Sequence, residues 1–117
     1  LWYNAYKYKD HNKRVPLSSA TAKMIVVSGL ECFIRSFLKD ESPRHSFSTW
    51  LDDMLVWEGE EEERQLILIG NEIGKGIVPY EKEERQWRDV VGWCYQDIVG
   101  KADRVDQIWY GLPQRLK

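Results

Sequence analysis

Apolar residues recur at three- and four-residue steps over much of the chain. Val26, Leu30, Phe33 and Phe37, flanked by Val27, Ile34 and Leu38, form a wide stripe. That stripe predicts a central helix capped at Ser18 or Ser19 and running to about Lys39. Residues 40–45 read as a loop broken at Pro43. Ser48 or Thr49 then caps a shorter helix over 50–57 that buries Trp50, Leu51, Met54 and Leu55. Trp87, Val90, Val91, Cys94, Tyr95 and Ile98 share one face of a helix over 80–99. The i,i+4 pairs Glu81–Arg85 and Glu84–Arg88 support it. Val105, Ile108 and Trp109 predict a last short helix over 102–110, ended by Gly111 and Pro113. Leu66-Ile67-Leu68-Ile69, bounded by Gly70, fits a helix or a buried strand equally by periodicity, and helix is preferred. The start alternates: Trp2, Tyr6 and Tyr8 share one side of an extended segment over 1–16, with Tyr3 and Ala5 on the other. The expected fold is mainly α, a single compact domain over 1–117. It has four to five helices and one or two short strands, in the N-terminal segment and around 65–70.

Composition narrows the class. The chain has 117 residues, 43% of them hydrophobic and 13% aromatic, with six tryptophans. A disordered segment would not carry that apolar load, and the length suits one domain. No apolar run approaches the ~18 residues of a membrane span, and no signal-peptide pattern opens the chain. The first residue is Leu1 rather than Met, which reads as a fragment or a trimmed chain. Cys32 and Cys94 both sit in apolar patterns, as buried reduced thiols do, and an intracellular (cytoplasmic) location is expected. The loop histidines His11 and His45 have no ligand spacing to either cysteine, so no metal or cofactor is expected.

Charge is uneven. Residues 1–47 carry eight Lys/Arg against four Asp/Glu, and residues 48–89 carry five against twelve. A basic start and an acidic middle allow one copy to attract another.

Candidate chemistry is sparse. Gly70-Asn71-Glu72-Ile73-Gly74-Lys75-Gly76 has three residues before its Gly-Lys where a phosphate-binding P-loop has four, and Gly76 stands where that loop has Ser or Thr. It reads as a connector. No serine lies in a Gly-x-Ser-x-Gly elbow. Glu60-x-x-Glu63 and Glu81-x-x-Glu84 each put two carboxylates on one helical turn, and two such turns facing each other would hold Mg²⁺. This arrangement resembles that of the helical nucleotide pyrophosphohydrolases of the MazG type, which implies Mg²⁺-dependent hydrolysis. The second pair departs from that family's pattern by ending in Glu rather than Asp.

Two binding readings remain. Trp2, Tyr3, Tyr6 and Tyr8, interleaved with Lys7, Lys9, Lys13 and Arg14, supply the stacking faces and phosphate-tracking cations of a single-stranded nucleic-acid or RNA binder. Trp, Tyr and Arg are also enriched at protein interfaces. The favoured expectation is a small non-catalytic protein–protein interaction module, self-associating or binding another protein. Its expected surface comprises Trp2, Tyr6, Lys7, Tyr8, Lys9, Trp57, Glu61, Glu62, Trp109 and Tyr110. No membrane partner is expected.

Overall fold

Strands and helices are interspersed along this chain in its computed structural model, which describes residues 2–6, 23–71, 73 and 81–117 without the Trp109 side chain. Strand β1 (Trp2–Asn4) is followed by β2 (Met24–Ser28), helix α1 (Leu30–Arg35), α2 (Pro43–Gly59), β3 (Gln65–Ile69), α3 (Lys82–Lys101), β4 (Asp106–Trp109) and β5 (Leu112–Arg115). The expectation of a mainly α fold is therefore corrected. Among the described residues there are three helices and five strands, an α/β arrangement.

The first three strands form one sheet in the order β1-β2-β3, all parallel. Parallel neighbours need a long crossover, and between β2 and β3 that crossover holds α1 and α2. Strand residues point alternately to the two faces. Tyr3, Ile25, Val27, Leu66 and Leu68 belong to the face that packs with the helices in the buried core, together with Leu30, Phe33, Ile34, Phe47, Trp50, Met54, Val91 and Cys94. Phe33 is the centre of an aromatic set. Its ring lies 6.0 Å from Tyr3, 5.3 Å from Phe37 and 4.7 Å from Trp50. Such edge-to-face and tilted contacts suit the ring quadrupoles.

Four local expectations change. The helix expected from Ser18 or Ser19 to Lys39 is broken: 24–28 is β2, and among the described residues of that span Leu30–Arg35 is the helical part. Ile25, Val26 and Val27 are β-branched and buried, which favours a strand inside a sheet. Gly29, at φ 72°, turns the chain sharply between strand and helix. The second helix starts earlier than expected, with Pro43 in its first turn rather than as its breaker, because the fixed φ of proline suits that position. Residues 65–69 are β3, the strand alternative. A four-residue apolar run, Leu66–Ile69, has strand length, and β2 supplies its partner.

The last helix expected over 102–110 is an antiparallel hairpin instead. Tyr110 and Gly111 both have positive φ, 51° and 76°, as a two-residue type I′ turn requires. The helix expected over 80–99 is present as α3, shifted by two residues. Residues 7–16, the greater part of the expected basic aromatic segment, lie outside the described residues with the Ser18 and Ser19 caps.

Candidate active site

Because β1, β2 and β3 are parallel, their carboxyl ends lie along one edge of the sheet, the edge beside which open α/β sheets bind ligands. Three segments leave that edge. Ala5-Tyr6 follows β1, Gly29 leads from β2 into Leu30 and Glu31 of α1, and Gly70-Asn71 follows β3. The register pairing Ser28 with Ile69 brings Gly29 and Gly70 to the same level.

Glu31 is the centre of this edge. It sits in the first turn of α1 and is only 3% exposed, an unusual setting for a carboxylate. The Tyr6 hydroxyl donates to it, 2.7 Å from Oε2 and 3.0 Å from Oε1. The Asn71 main-chain N–H lies 3.4 Å from Oε1, and the Asn71 side-chain amide donates to the Tyr6 hydroxyl at 2.8 Å. Among the described residues, these hydrogen-bond partners of the carboxylate are neutral. The backbone around it is built for the contact. The Tyr6 N–H donates to Asn4 Oδ1 at 3.0 Å, which turns β1 back over β2. A Cβ on Gly29 would lie 3.1 Å from both the ring and the main-chain nitrogen of Tyr6.

Electrostatics follow from this packing. Desolvation, reinforced by the Glu31 hydrogen bond and charge, pushes the Tyr6 phenol up to about 12. Tyr6 therefore keeps its proton at neutral pH and acts as a donor. Burial also raises Tyr95 above the ordinary phenol range, and Cys32 above the ordinary thiol range. Cys94, fully buried, is pushed up to about 12. Neither cysteine sits where a reactive thiolate is favoured.

The surface expected from the sequence is dispersed. Tyr6 is 52% exposed and stands at the carboxyl edge. Trp2 is exposed on β1 and donates its indole N–H to Ser28 Oγ at 3.0 Å. Trp57, expected at the surface, is 4% exposed. It lies in the last turns of α2 on the core side, with the Arg64 guanidinium 5.1 Å from its ring. Glu61 and Glu62 are exposed in the turn before β3, at the opposite end of the sheet from Tyr6. Tyr110 is 89% exposed at the hairpin turn. Lys7, Tyr8, Lys9 and the Trp109 side chain lie outside the described residues.

The paired-carboxylate arrangement does not form either. Glu60 pairs with Arg64 at 3.3 Å, Glu63 with Lys23, and Glu84 with Arg35 at 2.8 Å. Among the described residues no three His, Cys, Asp or Glu side chains gather as a metal cage, and no helix is long and apolar enough to cross a membrane.

Glu31 and Asn71 were missed, although the sequence carries a signal for them. Ile25-Val26-Val27-Ser28-Gly29-Leu30-Glu31 and Leu66-Ile67-Leu68-Ile69-Gly70-Asn71-Glu72 are two runs with one pattern, a β-prone stretch closed by Gly-x-Glu. Read together, they describe two neighbouring strands with a glycine at the same end of each.

Comparison with known proteins gives the family. The family model described as cobinamide kinase / cobinamide phosphate guanyltransferase (CobU) matches residues 1–116. A bifunctional adenosylcobalamin biosynthesis protein, CobP of Pseudomonas aeruginosa, is 40% identical over 53 residues, which are 45% of this chain and 31% of that protein. The CobU proteins of Salmonella typhimurium and Escherichia coli are 34% and 32% identical over 53 residues, in each case 45% of this chain and 29% of the relative. The matched stretch thus spans less than a third of each relative. These matches overturn the expectations of a non-catalytic interaction module, of an RNA binder and of a helical pyrophosphohydrolase. With a family model covering all but its last residue, the chain belongs to the cobinamide kinase / cobinamide phosphate guanyltransferase family.

Proposed function

We propose that this chain supplies part of the active site of a cobinamide kinase and cobinamide phosphate guanylyltransferase, and that its reacting nucleotide sits at the carboxyl edge of β1, β2 and β3. In net terms, the first reaction joins an acceptor oxygen of cobinamide to the γ-phosphorus of a nucleoside triphosphate and releases the diphosphate. The second joins an oxygen of the cobinamide phosphate to the α-phosphorus of a guanine nucleoside triphosphate and releases pyrophosphate. Both act on phosphorus carrying several negative charges, so positioning and charge neutralisation dominate the catalysis.

One observation carries the reading: Glu31 is a buried carboxylate at a strand end, and its hydrogen-bond partners among the described residues are all neutral. A buried charge calls for a countercharge. Glu31 would hold the Mg²⁺ that accompanies a nucleotide, an ion that takes one or two protein carboxylates together with the substrate phosphates and would there neutralise developing charge. Tyr6 and Asn71 would keep that carboxylate in one orientation. Two free cysteines in non-reactive settings suit an intracellular place of work, where the nucleotide is available.

The test is direct. The natural protein is incubated with cobinamide, nucleotide and Mg²⁺, and the phosphorylated and guanylylated products are resolved by mass. Glu31→Gln keeps the shape and removes the charge. A loss of about 10²-fold or more in turnover is expected, the scale seen when a single charge-stabilising group is removed. Glu62→Gln, at the far end of the sheet, should turn over normally. Full activity in Glu31→Gln would overturn the assignment.

A further inference from the structure

Two polar contacts of α3 are not needed to build its core face. Trp87 and Tyr95 lie eight residues apart, about 12 Å along the helix axis at ~1.5 Å per residue. Each ends in a hydrogen bond to a different segment at the strand ends, the first turn of α1 and the β3 loop. The Trp87 indole N–H donates to the main-chain oxygen of Glu31 at 2.9 Å. The Tyr95 hydroxyl donates to the main-chain oxygen of Asn71 at 2.7 Å. These are the two residues whose side-chain carboxylate and main-chain amide meet each other at the carboxyl edge.

The fit is close on both sides. A Cβ on Gly70 would overlap the Tyr95 hydroxyl and lie 3.0 Å from the Leu30 Cβ, so the β3 loop passes under Tyr95 only because residue 70 has no side chain. Trp87 is held from its other face by Arg35, whose guanidinium lies 4.6 Å from the ring and donates to Glu84 at 2.8 Å. Arg35 is on α1 and Glu84 on α3, so the indole is fixed between the two helices.

We infer that Trp87 and Tyr95 are positioning residues that clamp the first turn of α1 and the β3 loop to α3 and thereby fix Glu31 relative to Asn71 for phosphoryl and guanylyl transfer. The inference rests on the reading of the strand edge as the reaction site. Among the described residues the hydrogen-bond donors to the Glu31 carboxylate are Tyr6 and Asn71; Trp87 and Tyr95 act through the backbone that carries the reacting groups. Their loss should therefore change turnover more than nucleotide affinity. Outer partners that orient a ligating group typically contribute 10- to 100-fold in activity, and the same scale is expected here.

The experiment is a double-mutant cycle in the natural protein, with Tyr95→Phe, Trp87→Phe, Glu31→Gln and each combined with Glu31→Gln. Steady-state turnover is measured at 25 °C beside the thermal midpoint. Tyr95→Phe and Trp87→Phe should each lower kcat by about tenfold, with the nucleotide KM within about twofold and the fold intact. In the Glu31→Gln background neither should lower it further, because the group they position is gone. An activity-independent arm uses Gly70→Ala. It should lower the thermal midpoint strongly in the wild-type protein and less in Tyr95→Phe, where the obstructing hydroxyl is absent. Wild-type kcat in Tyr95→Phe and Trp87→Phe, with Glu31→Gln inactive, would overturn the clamp and leave the site standing. So would losses that multiply with Glu31→Gln. Normal turnover in Glu31→Gln would overturn the site reading and the clamp with it.

Discussion

At the scale of single residues, the contact between Tyr6 and Glu31 is the most informative in the molecule. A phenol that is half-exposed would ordinarily titrate near 10, yet this one is pushed up to about 12 by desolvation first and by the hydrogen bond and charge of Glu31 next. Since the folded value lies above the unfolded one, the neutral phenol contributes stability that is fully present below about pH 10. That contribution is lost as the pH rises from there through the folded value. The difference between the ultraviolet titrations of the wild-type protein and Tyr6→Phe isolates this phenol. Its midpoint should lie near 12 in the wild type and fall toward 10 in Glu31→Gln. A Tyr6 midpoint already near 10 in the wild type would mean that the carboxylate and the phenol do not meet.

The Arg44–Asp97 pair makes a contrast. Arg44 donates from Nε and a terminal nitrogen to the two Asp97 oxygens at 3.0 and 2.8 Å, and this holds the Asp97 carboxyl below its usual range. Asp97 favours the folded state above the ordinary carboxylate range, and that support fades as the pH falls toward its folded value. Both side chains are part-exposed, so the pair, which joins α2 to α3, adds little to stability.

At the scale of elements, the hairpin offers the cleanest local test. Its turn places Tyr110 at φ 51°, a left-handed conformation that costs a non-glycine residue roughly 1–2 kcal/mol and that asparagine tolerates better. Tyr110→Asn should slow amide exchange across β4 and β5 severalfold. Faster exchange would show that the Tyr110 ring holds the hairpin more firmly than its turn geometry weakens it.

The same elements show what was legible in the sequence. The amphipathic stripe of α3 was read almost to its ends, because a 20-residue helix repeats its period often enough to be unambiguous. The stripe through Val26, Leu30, Phe33 and Phe37 misled. It runs through a strand, a left-handed glycine and a six-residue helix that happen to bury consecutive apolar residues. Short buried strands carry no alternation when both faces are covered, so β2 passed for the start of a helix. The hairpin was hidden differently, since Gly111 and Pro113 end a helix as readily as they build a turn and a β5 strand. The pairing of Tyr6 with Glu31 across 25 positions has no local signature; only the parallel register of β1 and β2 creates it.

At the scale of the whole molecule, the parallel sheet separates two regions that the sequence presents as one charged surface. The acidic residues Glu61 and Glu62 stand exposed at the amino end of β3, whereas Tyr6, Glu31 and Asn71 converge at the carboxyl end. In the proposed reading the net negative charge would not oppose a nucleotide, because the acidic run of 60–63 lies at the far end, where Arg64 and Lys23 pair with Glu60, Glu61 and Glu63. Helix α3 spans the helical layer and touches both α1 and α2, so it links the site loops to the aromatic core around Phe33.

Amide exchange of the natural protein with and without a saturating guanine nucleoside triphosphate and Mg²⁺ examines the location of the site most directly. Nucleotide should slow exchange in peptides that contain Glu31 and Asn71, and leave peptides from the turn at Glu61 and Glu62 unchanged. Protection confined to that turn or to the β4–β5 hairpin, with none at Glu31 and Asn71, would place the nucleotide elsewhere and contradict the assignment.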